Sequence, residues 1–257
     1  MAGAVISAGG RSVTSDGAGA ASLEVTAGAP VTIEAAAFLL RETAWRDDPV
    51  FRLWPIRADA DQAFLNELVY NRLIADGALT RPVSGVYFRL SEELREDAGL
   101  SAVQERAAAL VSGANGGGIP FVVSDDPPPG AVAFDVSVNG GDVFFQQNPG
   151  FGAVTRVTSV RNRIASGSTT YRAVRDASLF QLATHEMGHA FGLGHPSQPG
   201  LMSAETIGSY QDFTAAEKSA MRMMLLRLPG NLPPDNDRSA SASGARRTLA
   251  VGCGLGL

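Results

Sequence analysis

The chain has three histidines in 257 residues, and all of them fall inside residues 185–195. That stretch reads His-Glu-Met-Gly-His-Ala-Phe-Gly-Leu-Gly-His, the pattern H-E-x-x-H-x-x-G-x-x-H. His185 and His189 are four residues apart, so a helix sets both rings on one face with Cβ atoms about 5–6 Å apart. That spacing lets two ring nitrogens reach one zinc ion at about 2.0–2.1 Å. Glu186 is turned roughly 100° around the helix, which leaves it free to face a water in an open coordination position. Gly192 tolerates the left-handed conformation that ends a helix, and the chain reversal brings His195 back toward the metal. Three neutral imidazoles with an exchangeable fourth position form a catalytic rather than a closed structural site. Five fixed positions of these residue types match by chance on the order of 10⁻⁵ per chain.

Composition narrows the remaining classes. A hydrophobic share of 45% with 18% charged residues is that of a globular chain. The net charge of −5 argues against a nucleic-acid partner. No apolar run approaches the roughly 20 residues of a membrane span. A single cysteine, Cys253, permits no internal disulfide and no four-cysteine zinc site. With no histidine outside the motif, a second histidine-bound zinc and a Ser-His-Asp triad are both excluded. Cys253 itself reads most simply as a tail residue.

Three segments follow from patterning. Residues 1–81 read as an accessory or propeptide-like region. Within it Leu23–Thr26 and Val31–Glu34 suggest a hairpin, and Trp45 and Trp54 suggest packing residues. The stripe Leu65, Leu68, Val69 and Leu73 predicts a helix within Asp61–Asp76, ended by Gly77. Residues 82–230 carry the regular pattern. Strands are predicted at Val86–Leu90, Ile119–Val123, Ala131–Val136, Asp142–Gln146 and Ala153–Val160. Ser101 with Gln104, and Thr214 with Glu217, read as capping boxes that open two helices. A helix beginning at Asp176 or Ser178 runs through His189, with Leu179, Phe180 and Leu182 as core. Met221, Met223, Met224 and Leu225 read as core of the last helix, which Pro229 and Gly230 end. Residues 231–257, rich in Pro, Ser, Asp and Gly, read as a flexible tail.

The motif and this order of elements resemble the metzincin zinc metallopeptidases, and within them the bacterial matrixin-like peptidases. A methionine turn follows the third histidine in that clan, and Leu201-Met202-Ser203 stands in the corresponding place. The resemblance implies an α+β, zincin-like fold. Its expected parts are a twisted, mainly parallel sheet with one antiparallel edge strand, an active-site helix, a Met-turn and a C-terminal helix. It implies that His185, His189 and His195 bind one Zn2+, that Glu186 is general base and acid, and that Gly192 and Met202 support the site. The implied activity is that of a zinc metalloendopeptidase acting on a peptide bound as an extended strand. Either Asp142–Gln147 or Ala153–Val160 would be the edge that receives it.

Some positions depart from individual subfamilies. Pro196 follows the third histidine as in serralysins, yet glycine-rich calcium repeats are lacking. Ala204 stands where astacins and serralysins carry a tyrosine ligand, and Tyr210 lies too far along to replace it. No cysteine precedes the motif, so the propeptide switch of matrixins has no counterpart there. Asp125 and Asp126, with Asp135 and Asp142, offer oxygen ligands of the kind Ca2+ takes, although a solvated loop explains them as well. Secretion follows from the resemblance alone, because residues 1–20 lack the charged and apolar regions of a signal peptide. Two other readings stand beside the peptidase. One is a zinc-bearing binding module without proteolysis, the other a zinc hydrolase of a non-peptide amide. Sequence does not address the oligomeric state.

Overall fold

Alternating burial builds two sheets in this protein. The computed structural model describes residues 1–45, 50–70, 77–237 and 246–253. The first sheet is antiparallel and comprises β1 (Val5–Ala8), β2 (Arg11–Thr14), β3 (Pro30–Glu34) and β4 (Arg41–Ala44), in the order β2-β1-β3-β4. Val31 and Ile33 of β3 alternate inward and join Ala4 and Ala8 in a small core. Leu23–Thr26 forms no strand; β3 is flanked by β1 and β4, so the expected hairpin partner has no edge to take. Short helix α1 (Gln62–Leu68) starts at Asp61, whose carboxylate accepts from Phe64 N. Leu73 and the rest of 71–76 lie outside the described residues.

The second sheet has six strands. They are β5 (Val86–Leu90), β6 (Phe121–Val123), β7 (Val132–Val138), β8 (Ala153–Val160), β9 (Arg163–Tyr171) and β10 (Arg246–Cys253). Their order is β10-β8-β9-β7-β5-β6. Strands β6, β5, β7 and β9 are mutually parallel, whereas β8 runs antiparallel to β9 and β10 antiparallel to β8. This is a mixed α/β arrangement with a mostly parallel sheet and an antiparallel edge, compatible with the expected α+β class. Val86 and Phe88 are fully buried, and the rings of Phe134, Phe88, Phe121 and Phe191 pack in that order at centroid distances of 5.6–6.1 Å. Burying each such ring contributes roughly 1.5–3 kcal/mol.

Between the strands lie α2 (Glu92–Glu96), α3 (Ala98–Ala114), α4 (Val143–Gln147), α5 (Val174–Ala177), α6 (Phe180–Phe191) and α7 (Ala215–Leu225). Four of them correct the sequence reading. Helix α3 begins a turn before Ser101, because Asp97 already accepts from Gly99 N and Leu100 N. Ser101 and Gln104 therefore lie inside it, and buried Gln104 donates to Ala177 O instead. Asp142–Gln146 is helical rather than extended, since Asp142 caps Phe144 N and Phe144 packs edge-on against Phe145 and Phe151. The helix expected from Asp176 through His189 is two helices, α5 and α6, interrupted by the extended backbone of Leu179. Leu182 is fully buried, and Leu179 and Phe180 pack against the core. The Thr214–Glu217 capping box is present and opens α7, with Met221 and Met224 fully buried.

The segments flanking residues 82–230 are tied into the same structure. Leu39, Trp54, Phe64, Leu65 and Leu68 belong to one core with Val86 and Phe88. Residues 231–237 differ from the expected flexible tail because a buried polar network holds them. Asp235 receives a bidentate bond from Arg227 at 2.6 and 2.7 Å and one from Arg41 at 2.9 Å. Asp237 binds Arg41 at 2.5 Å, and Asn231 donates to both carboxylates. The Tyr70 hydroxyl donates to Asn231 at 2.6 Å, and burial raises its pKa well above the usual phenol range. Backbone bonds join Glu42 of β4 to Asp235 and Asp237. Strand β10 then returns the C-terminal part of the chain to the larger sheet. Residues 238–245 and 254–257 of the expected tail lie outside the described ones.

Candidate metal centre

Helix α6 presents His185 and His189 from its last two turns, both fully buried. The helix stops at Gly192 with φ 103° and ψ 14°. There the chain reverses, with Leu193 N bonded to Gly188 O and Gly194 N bonded to Leu68 O. The reversal brings His195 Nε2 to 3.0 Å from His185 Nε2 and 2.9 Å from His189 Nε2. A Cβ on Gly192 would lie 2.0 Å from Thr80 O. Gly192→Ala is therefore expected to cost roughly 1–3 kcal/mol through backbone strain and crowding. It should also weaken metal binding by displacing His195. A thermal melt and a zinc-competition titration check this, and wild-type values in both would contradict the role given to Gly192.

The outer hydrogen bonds fix the tautomers. His185 Nδ1 donates to Leu201 O at 2.6 Å, and His189 Nδ1 donates to Leu193 O at 2.8 Å. Carbonyl oxygens only accept, so both Nε2 atoms carry lone pairs. Burial lowers the pKa of His185 to about 3 and that of His195 to about 4, and His189 falls well below its usual value. These shifts favour the neutral ring, the form in which an imidazole can ligate a metal. The His195 Nε2 atom sits about 3 Å from both of those lone pairs, a spacing at which one cation can be shared. A tetrahedron with metal–nitrogen bonds of 2.0–2.1 Å has edges of roughly 3.3–3.4 Å, close to this spacing.

A fourth donor completes the group. Cys253 Sγ lies 2.7 Å from His185 Nε2, 3.1 Å from His195 Nε2 and 3.3 Å from His189 Nε2. Three histidines and one cysteine are therefore close enough to hold a metal ion, all four ligand atoms falling within 4.8 Å of one another. Cys253 is fully buried, which corrects its reading as a plain tail residue. Burial and the nearby Glu186 push its thiol pKa well up. A cation held in the group would invert that preference and favour thiolate.

Glu186 is fully buried beside this group and is not one of its four donors. Its Oε2 accepts from Thr155 Oγ1 at 2.5 Å, and Thr155 is paired in turn with Thr169 at 2.9 Å. Its Oε1 is buried without a hydrogen-bond partner. Burial raises its pKa to about 7, against the lowering pull of the Thr155 hydroxyl and the Cys253 thiol.

Met202 lies under helix α6, as a floor residue would. It is fully buried, and a Cβ on Gly188 would meet its Sδ at 2.4 Å. Glu217 of α7 holds this turn, accepting from Met202 N at 2.7 Å, Leu201 N at 3.4 Å and Thr214 N at 2.6 Å. One buried carboxylate thus caps α7 and fixes the loop whose Leu201 carbonyl orients His185. The capping box was visible in sequence, but its hold on the Met202 turn was not. Thr155 and Cys253 carried no sequence signal linking them to the motif.

The other candidate residues are elsewhere. Asp125, Asp135 and Asp142 each pair with an arginine: Arg95, Arg89 and Arg156 respectively. Asp126 is exposed in the same loop. Among the described residues, the His/Cys group is the only cluster of three or more metal-binding side chains. Tyr210 packs against the hydrophobic core and is outside that group. Of the two candidate edge segments, 143–147 is helix α4, and Ala153–Val160 is β8, whose outer edge β10 covers. Among the described residues, no helix is long and apolar enough to cross a membrane. No protein-family model matches the chain, and no curated protein matches it.

Proposed function

We propose that this protein is a zinc-dependent endopeptidase of the matrixin-like metzincin type, with a zincin-like catalytic fold. His185, His189 and His195 hold the zinc, and Glu186 is the general base and acid. The observation that carries this reading is Glu186 Oε1, a fully buried carboxylate oxygen without a partner beside three converging imidazole nitrogens. Leaving a buried carboxylate oxygen unsatisfied costs stability, so such an atom points to a role in chemistry. A zinc ion held there would supply a Lewis acid and make water a stronger acid near neutral pH. Glu186 takes the proton from the attacking water and returns it to the leaving amine. Thr155 fixes the carboxylate through Oε2, so Oε1 is the oxygen that exchanges the proton. The carbonyls of Leu201 and Leu193 hold two ligand rings in the tautomer that exposes Nε2. An extended peptide on the β8 edge would be carried past Thr155 toward Glu186.

Cys253 favours a second reading. A fourth protein donor closes a zinc site, as in structural centres, and a non-proteolytic module would be built this way. A hydrolase of non-peptide amides would use the same water chemistry. The test uses an open form: the full chain with Cys253→Ala and a site-specific protease sequence in place of residues 239–244, folded whole with zinc, then cut. It should hold about one zinc per chain. It should cleave fluorescent unfolded casein, stop with chelator and resume when zinc is restored. A zinc-loaded open form that cleaves no casein overturns the endopeptidase reading.

A further inference from the structure

Strand β8 carries Thr155, the residue that holds Glu186, and its outer edge is taken along its whole length by β10. The register runs over eight antiparallel pairs, from Arg246↔Val160 to Cys253↔Ala153. Main-chain pairing at a free strand edge is how an extended peptide is bound and aligned. Here the chain's own C-terminal segment makes that pairing and delivers its sulfur into the metal centre. Gly152 N bonds Cys253 O at 2.8 Å and fixes the last residue of the strand. Val251 pairs with Thr155 and is 3% exposed. By strand alternation it faces the same side as Cys253.

The geometry points to residues 246–253 as an internal substrate mimic that keeps the metal centre latent. This rests on the endopeptidase reading. The strand occupies the peptide-binding edge, and Cys253 fills the coordination position that hydrolysis needs open. With a metal bound, Cys253 would ligate it as thiolate, its proton passing to solvent, and departure of the strand would reverse this. The imidazole donors and Cys253 are held differently. His185 and His189 are anchored by carbonyls and by a helix packed in the core. Cys253 arrives on a strand whose only sheet neighbour among the described residues is β8. Tethering gives that strand a high effective concentration, which severing the chain removes. The mimic also indicates a substrate preference. A peptide in this register places a β-branched apolar residue two positions before the residue at the metal, where Val251 now sits.

Three measurements test this. Cobalt-substituted full chain should show a sulfur-to-cobalt charge-transfer band that Cys253→Ala abolishes. The uncut wild-type chain loaded with zinc should cleave casein on the order of 100-fold more slowly than the open form. A synthetic peptide of residues 246–253 should inhibit the open form, and its Cys253→Ser and Val251→Asp versions should inhibit it less. A full chain without the charge-transfer band, or one as active as the open form, overturns the latency while leaving the endopeptidase reading intact. An inert, zinc-loaded open form that bore the band before Cys253 was replaced overturns both, and identifies a closed structural centre.

Discussion

Glu186→Gln in the open form is expected to lower casein hydrolysis by about 10²–10⁴-fold while zinc stays near one per chain. The substitution keeps the shape of the side chain and one group able to bond the Thr155 hydroxyl. It removes a buried carboxylate beside the donors that can take up a proton. Zinc retention follows because Glu186 is not among the four donor atoms. Thermal stability should hold or rise, since a neutral amide is less costly to bury than a carboxylate. The readouts are metal analysis, a casein assay and a thermal melt on the same preparation. Undiminished hydrolysis by Glu186→Gln would remove Glu186 from the chemistry. Lost hydrolysis with lost zinc would make it a structural residue of the site.

Asp235→Ala is expected to destabilise the fold strongly, by about 3–5 kcal/mol. Asp235 is fully buried and faces the guanidinium groups of Arg41 and Arg227, whose side chains are 8% and 1% exposed. Among the described residues, its removal leaves Arg227 without a carboxylate partner and Arg41 with Asp237 alone. For a chain of this size the loss corresponds to a melting temperature lower by roughly 6–20 °C. Arg89→Ala provides the contrast. The Arg89–Asp135 pair is 43% and 64% exposed, and losing it should cost less than about 1 kcal/mol. Melts of the two variants beside wild type decide the matter, and equal shifts would contradict the weight given to the buried network. The same network bears on residues 1–81. Arg41 of β4 and Tyr70 both bind residues 231–237, and Leu68 O supports the turn before His195. Cutting residues 1–81 away would strip those contacts from the metal centre.

The metal motif was legible in sequence because its geometry is local. Four-residue spacing on a helix and a glycine at the reversal need no distant partner. The capping box at Thr214 and the strand at Val86–Leu90 were legible for the same reason. Local pattern misled where a neighbouring side chain competed. Asp97 started α3 before the Ser101 box could act, and Asp142 turned an apparent strand into α4. Tertiary packing gave known residues further duties, as with Glu217, which caps α7 and also holds the Met202 turn.

Sequence by itself determined that three histidines form one set able to hold a metal ion, with a glutamate beside them, since every spacing involved lies within eleven residues. Only the tertiary structure decided that the set has a fourth member. Cys253 is far from the motif along the chain, and no periodicity links the two. Pairing of β10 with β8 closes that distance through long-range backbone hydrogen bonds, which local sequence does not encode.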